Sequence, residues 1–175
     1  MKTTAVDIKT LIKDVPDFPK KGVVFKDITP LLADARAFAL IIDEIAQPFM
    51  DKGIGVVAGI ESRGFLLATP IAYRLGAGVV LIRKKGKLPR KTHCVTYALE
   101  YGQDSIEAHC DSFAPGTKVL LVDDVLATGG TAQAACELLK KLGGSLQGLA
   151  FLIELQFLKG RQKIQGQKIH SLITY

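Results

Sequence analysis

Two adjacent carboxylates followed at once by small and hydroxyl-bearing residues form the most chemically loaded run of the chain, Val119-Leu-Leu-Val-Asp-Asp-Val-Leu-Ala-Thr-Gly-Gly-Thr131. Val119 to Val122 is a short continuous apolar run, as expected of a parallel strand covered on both faces, and the strand is expected to end where polarity begins at Asp123. Ala127-Thr-Gly-Gly-Thr131 then opens a helix with Ala135, Leu138, Leu139 and Leu142 on one stripe and Glu137, Lys140 and Lys141 elsewhere, until Gly143 and Gly144 stop it. A loop at a helix N-terminus offers unpaired N–H groups and the positive end of the dipole to an anion. Gly129 and Gly130 let the main chain approach phosphate oxygens closely, and Thr128 and Thr131 add hydroxyl donors. No lysine follows the glycines as in a nucleoside-triphosphate loop, and the dinucleotide-binding glycine fingerprint is missing, so a single terminal phosphate is the better match. Asp123 and Asp124 would repel a polyphosphate but accept hydrogen bonds from vicinal hydroxyls, which suits the 2′ and 3′ positions of a ribose. Either half alone is more often a solvated strand end or a Thr-capped helix; in succession they read as a cradle for a sugar phosphate.

The elements that must position this cradle follow from hydrophobic periodicity. After a short N-terminal helix and a Pro- and Lys-containing turn, Asp34 to Met50 reads as a helix burying Phe38, Ile41, Ile42, Ile45 and Phe49. A strand near Gly55 to Ala58, the turn Gly59-Ile-Glu-Ser-Arg-Gly64, a helix from about Phe65 to Leu75 and a strand at Val79 to Ile82 make one β-α-β unit. The Val119 strand, the Thr131 helix and a strand within Leu149 to Leu155 make a second, with a last strand near Ile169 to Ile173. Between the units, Thr96 to Glu100 and Ser105 to His109 pair as a hairpin around Tyr101-Gly-Gln-Asp104, an inserted mobile flap. The expected fold is therefore α/β: an open, mostly parallel twisted sheet flanked by helices, with an inserted flap hairpin. Three polar segments, Glu61 to Gly64, Arg83 to Lys87 and Asp123 to Thr131, each follow the carboxyl end of a parallel strand, where open α/β sheets bind ligands.

Composition narrows the setting. With 175 residues, 48% of them hydrophobic, the chain reads as one domain over residues 1–175. The N-terminus lacks an apolar leader, and no apolar stretch reaches the roughly 20 residues of a membrane span, so a cytoplasmic protein without a membrane partner is expected. Cys94, Cys110 and Cys136 show neither disulfide-framework nor zinc spacing. The formal charge of +6 would suit nucleic acid, a membrane surface or a small polyanion, and composition alone does not choose.

The Val119 to Thr131 run resembles the signature of the type I phosphoribosyltransferases, and three more segments are similar to the branch of that family that acts on adenine. They are Asp17-Phe-Pro-Lys-Lys-Gly-Val-Val-Phe-Lys-Asp-Ile-Thr-Pro-Leu-Leu32, Gly59-Ile-Glu-Ser-Arg-Gly-Phe65, and Arg83-Lys-Lys-Gly-Lys-Leu-Pro89 with Leu99-Glu-Tyr-Gly102, so that the likeness spans nearly the whole chain. Lys21 departs from it, standing where many relatives carry proline. The resemblance implies a type I phosphoribosyltransferase-like fold, with a base-binding segment at about residues 1–32 and a flexible flap at about 84–115. It also implies transfer of a 5-phosphoribosyl group from 5-phosphoribosyl-1-pyrophosphate to adenine, giving AMP and pyrophosphate in purine salvage.

By the same resemblance, Asp123, Asp124, Ala127, Thr128, Gly129, Gly130 and Thr131 hold the ribose and its phosphate. Glu61, Ser62, Arg63, Arg83, Lys84 and Lys87 hold the pyrophosphate, whose developing charge is the main thing the displacement must stabilise. Taken alone, Arg83 to Lys87 would be a solvated basic turn; in a homodimer the family places Arg83 toward the neighbouring subunit's site. A cis peptide is implied between Glu61 and Ser62. Phe25 is a stacking platform for the base, the main chain at Val24 and Lys26 together with Arg63 reads adenine, Glu100 exchanges a proton with the purine, and Tyr101 closes over the site. Catalytic roles thus fall on Glu100 and Arg63. Mg2+ is expected as cofactor, chelated mainly by the substrate, with Asp123 or Asp124 able to contribute through water and no dedicated protein cage. The rival readings are a phosphoribosyltransferase for a 6-oxopurine and a non-catalytic regulator that senses the sugar pyrophosphate while binding nucleic acid.

Overall fold

The computed structural model describes residues 7–98 and 102–175. Chain contacts divide it into two compact units, the first ending at Ile42 and the second running from Asp43 to Tyr175.

In the first unit the expected short helix is a 3-10 turn, Ile8–Leu11, started by Asp7, whose Oδ1 accepts from Lys9 N at 3.2 Å. Strands β1 (Lys13–Pro16) and β2 (Val24–Asp27) follow as an antiparallel pair, Val15 opposite Phe25. The pair is pinned on its sides by Lys26 Nζ on Asp14 Oδ1 at 2.6 Å and by the rings of Phe18 and Phe25, edge to face at 5.1 Å. Asp27 caps helix α1 (Thr29–Ala33), accepting from Thr29 N and Thr29 Oγ1 at 2.9 Å each. Helix α2 (Ala35–Ala46) begins at Asp34, whose Oδ1 accepts from Arg36 N at 3.0 Å and Ala37 N at 2.9 Å. It stops short of the expected Met50, because Pro48 has no N–H to continue the ladder; Gln47–Phe49 is a 3-10 turn. Its fully buried line is Ala37, Ile41 and Ile45, which leaves Phe38 at the margin and only half-buried.

The second unit is built on a seven-stranded sheet. In chain order its elements are β3 (Val56–Ile60), α3 (Arg63–Leu75), β4 (Gly78–Lys84), β5 (Thr92–Ala98), β6 (Gln103–His109), β7 (Lys118–Leu126), α4 (Gly130–Lys141), β8 (Ser145–Glu154) and β9 (Ile169–Thr174). The spatial order is β5-β6-β4-β3-β7-β8-β9, with β4, β3, β7, β8 and β9 parallel and the β5–β6 hairpin antiparallel on β4. This is the α/β, mostly parallel sheet with an inserted hairpin that the periodicity implies. The hairpin strands begin earlier than expected, Thr92 pairing with His109 and Ala98 with Gln103.

Helix α4 lies over one apolar layer, where its Ala135, Leu138 and Leu139 join Ala58, Val80, Leu121, Leu149 and Phe151 of the sheet in one buried cluster. Helix α3 lies over β3 and β7 and approaches closely because both facing positions are glycine. A Cβ on Gly59 would lie 2.8 Å from Ala68 Cβ, and one on Gly64 would lie 2.8 Å from Asp123 Oδ1 and 3.0 Å from Val122 O. Small residues thus set the start of α3 directly against the acidic end of β7. Among the described residues no helix is long and apolar enough to cross a membrane.

Gly59→Ala is expected to lower stability by about 1–3 kcal/mol, the usual cost of overpacking a close helix–sheet contact. Chemical denaturation of the two forms checks this, and an unchanged midpoint would contradict the contact.

Candidate functional site at the carboxyl edge of the sheet

Strand β7 does not end at Val122. It continues through Asp123 and Asp124 to Leu126, because β8 runs alongside and supplies partners as far as Glu154, opposite Leu126. The acids therefore stand on a paired, rigid backbone. Asp124 is 6% exposed, and Asp123 is half-buried with its Oδ1 accepting from Asp124 N at 2.9 Å. Burial, and then the neighbouring Asp124 carboxylate, hold the Asp123 carboxyl well above the usual carboxylate range. Burial raises Asp124 as well, opposed by Arg63, whose Nε stands 2.7 Å from Asp124 Oδ2.

The next residues form the loop into α4. Gly129 is the residue before the helix, in a left-handed conformation (φ 80°) that a side chain would strain. Asp123 and residues 125–132 line an open pocket of about 80 Å³. Thr131 Oγ1 donates to Tyr97 OH at 3.2 Å, tying the far end of β5 to the start of α4. The N-terminus of a twelve-residue helix, an open pocket and hydroxyl side chains together suit an anion.

The turn after β3 meets this loop through α3. The helix starts at Arg63, two residues earlier than the periodicity implies, so that Arg63 sits in the first turn and reaches Asp124. The Glu61–Ser62 peptide is cis. Ser62 is exposed and makes no side-chain cap, leaving Phe65 N to donate to Ser62 O at 3.2 Å.

The cationic segment differs from expectation in one respect: Arg83 and Lys84 are the last residues of β4, opposite Glu107 and Ile106 of β6, and not part of a free loop. Alternation along β4 puts Val79, Leu81 and Arg83 on one face, and both apolar residues are exposed. Arg83 Nε donates to Glu61 Oε2 at 3.2 Å and Lys84 N donates to the same oxygen at 2.9 Å. Against the cost of partial burial, the Lys84 amide and the Arg83 guanidinium hold the Glu61 carboxyl below its usual value. Lys84 Nζ faces Asp104 Oδ2 at 3.4 Å, and Lys87 is exposed.

Glu61, Arg63, Arg83, Asp123, Asp124 and the 127–131 loop are thus one contiguous edge of the second unit. Val24, Phe25 and Lys26 lie in β2 of the first unit. Glu100 and Tyr101 lie outside the described residues. The three cysteines are free, and burial pushes Cys136 up to about 11. Among the described residues no group of three or more His, Cys, Asp or Glu side chains could hold a metal ion.

Sequence reasoning passes over Glu107. This buried carboxylate accepts from Gly86 N at 3.0 Å and from Lys87 N and Leu88 N at 3.2 Å each, and from Thr92 Oγ1 at 3.1 Å. It shapes the cationic turn from below. The only hint is an acid between two apolar strand residues, Ile106 and Ala108.

Comparison with known proteins agrees with this architecture. The model of the phosphoribosyl transferase domain matches residues 30–168. The chain is 53% identical to the adenine phosphoribosyltransferase of Geobacter metallireducens over 97% of its own length and 99% of that protein's. The crystal structure of adenine phosphoribosyltransferase from Thermoanaerobacter pseudethanolicus superposes with a TM-score of 0.93 at 50% identity, over 96% of this chain and 98% of that one. The Saccharomyces cerevisiae enzyme, solved with adenine and an imino-altritol bisphosphate, gives a TM-score of 0.89 at 38% identity over 94% of this chain and 96% of that one. The chain belongs to the phosphoribosyl transferase family and, within it, to the adenine phosphoribosyltransferases.

An acid whose folded pKa is raised destabilises the protein increasingly as pH climbs from its unfolded value through its folded one. Asp123→Asn keeps the acceptor for Asp124 N and removes the charge. It is expected to raise the melting temperature near neutral pH, by about 2–4 °C per kcal/mol relieved. The gain should vanish below about pH 3.9, where both forms are neutral. Thermal melts across pH check this; a lower melting temperature at pH 7 would refute the cost assigned to the buried Asp123 charge beside Asp124.

Proposed function

We propose that the chain transfers the 5-phosphoribosyl group of 5-phosphoribosyl-1-pyrophosphate to adenine, giving AMP and pyrophosphate in purine salvage. The observation that carries this reading is the union of the acidic pair with a small-residue helix start on one paired strand end, Arg63 joining it to the Glu61 turn at 2.7 Å. Identity of 53% with an adenine phosphoribosyltransferase supports adenine as the acceptor.

In this reading the amides of Ala127 to Thr131, with the Thr128 and Thr131 hydroxyls, hold the 5′-phosphate. Asp123 and Asp124 accept from the ribose hydroxyls. Those donors favour the ionised acids, so substrate offsets the burial that, with the neighbouring Asp124 carboxylate, raises Asp123 in the free protein. Arg63, Arg83, Lys84 and Lys87, with the Glu61–Ser62 main chain, receive the pyrophosphate. Arg83 exchanges its Glu61 partner for that charge, directly or in a neighbouring subunit; the exposed Val79 and Leu81 on its face of β4 support a homodimer. Adenine stacks on Phe25 and is read by the main chain of Val24 and Lys26 and by Arg63. The bond from the anomeric carbon to the pyrophosphate oxygen breaks as the bond to the purine nitrogen forms, and Glu100 takes the purine's ring proton while Tyr101 covers the site.

Mg2+ belongs to this reading as part of the substrate complex, where it would supply positive charge to the leaving group. The donor set suits it, since burial raises both carboxyls and a dication's field would favour their ionised forms, and Asp123 or Asp124 would hold it through water. The protein acts in the cytoplasm on small molecules and not on nucleic acid, Arg83 and Lys84 at the site being matched by Glu61 and Asp104.

Incubation with the sugar pyrophosphate, Mg2+ and each purine in turn is expected to yield AMP from adenine. Faster turnover of hypoxanthine, guanine or xanthine would move the assignment to a 6-oxopurine enzyme, and salt-sensitive RNA or DNA binding without turnover would indicate a regulator. Asp124→Asn is expected to lower kcat/KM for the sugar pyrophosphate about 100-fold.

A further inference from the structure

The turn that follows β8 meets the 127–131 loop main chain against main chain. Leu155 N donates to Leu126 O at 3.0 Å, so the two strands stay joined up to the loop. Two 3-10 turns follow, Gln156–Leu158 and Gly160–Lys163, with Lys159 between them in a left-handed conformation (φ 53°). Gly160 is buried under the loop. A side chain there would run into the carbonyl oxygen of Ala127 and lie 3.1 Å from Gly129 N, and one on Gly129 would run into the carbonyl of Gly160.

The next residue locks the turn. Arg161 forks onto Glu154, Nε to Oε1 at 2.6 Å and Nη2 to Oε2 at 2.7 Å, and also donates to Ile169 O and Ser171 Oγ at 3.3 Å each. Glu154 closes β8, is 4% exposed, and stands opposite Leu126 in register. A two-pronged charge-assisted pair of this kind has one geometry, so the turn it closes has one height beneath the loop.

We propose that Gly160 and the Glu154–Arg161 pair are positioning residues for the sugar phosphate, holding the main chain of residues 127–129 where its amides converge on the phosphate. The inference rests on the reading of that loop as the phosphate site. An anion site made of main-chain donors has no side-chain rotamers with which to adapt, so its strength depends on what backs the loop. Here the backing is another stretch of main chain, in contact because both partners are glycine.

Gly160→Ala, Arg161→Lys and the double variant Glu154→Gln/Arg161→Gln test this by kinetics with each substrate varied separately, calorimetric titration with ribose 5-phosphate, and thermal melts. The KM for the sugar pyrophosphate and the Kd for ribose 5-phosphate are expected to rise about 10- to 100-fold in Gly160→Ala and the double variant, with the KM for adenine unchanged. Arg161→Lys, which keeps the charge but loses the fork, should recover only part of the loss. If Gly160→Ala fails to fold, the other two decide, since neither alters the space beneath the loop and the double variant leaves no unpaired charge. Lower melting temperatures with an unchanged Kd for ribose 5-phosphate would overturn the proposal and leave the turn merely structural. Failure of the wild-type protein to bind ribose 5-phosphate would instead overturn the phosphate reading on which it rests.

Discussion

The 2.7 Å ion pair between Arg63 and Asp124 is the contact through which the rest of the carboxyl edge is organised. Two adjacent carboxylates removed from water lose hydration, which costs several kcal/mol per ion in a protein interior, and the charge on Asp124 adds to that cost at Asp123. A guanidinium at contact distance offsets part of that cost, and it can stand there because α3 begins at Arg63 and Gly64 lets the helix sit on Asp123. The offset is incomplete, since both acids remain raised. A site left in this condition favours any ligand that brings hydroxyl donors or positive charge.

The same economy of space recurs along the edge. Gly59 against Ala68, Gly64 against Asp123, and Gly129 against Gly160 bring backbone to backbone where side chains would hold the segments apart. Two further carboxylates, Glu61 and Glu107, organise the cationic run through main-chain amides, fixing the path of Arg83 to Leu88 before any ligand arrives. Positive and negative groups are interleaved along this edge in a fixed frame.

Much of this frame was legible in the residues. The apolar run of Val119 to Val122, the stripe of Ala135, Leu138 and Leu139, and the two β-α-β units follow from periodicity, because burial on both faces of a parallel strand and on one face of a helix leaves a direct mark on composition. The boundaries were less so. Strand β7 runs on through two aspartates and β4 through Arg83 and Lys84 because neighbouring strands supply hydrogen-bond partners there, and pairing is not visible in the strand that receives it. Helix α2 gives way at Pro48, a stop that the residues do spell out, whereas Ala37 replaces Phe38 on its buried line by a rotation that periodicity alone does not set.

By itself the sequence determined which chemistry is available: acids, hydroxyls, glycines and cations at the ends of buried strands, in an order that matches a known family. It did so because burial periodicity, helix-start chemistry and turn residues are local properties, written within a few positions of one another. Only the tertiary structure decided that Arg63 meets Asp124, that Glu107 gathers three amides, and that Gly160, some thirty residues beyond Gly129, lies beneath it. Those contacts join segments far apart in the chain, and their geometry is set by the order and register of the strands that carry them.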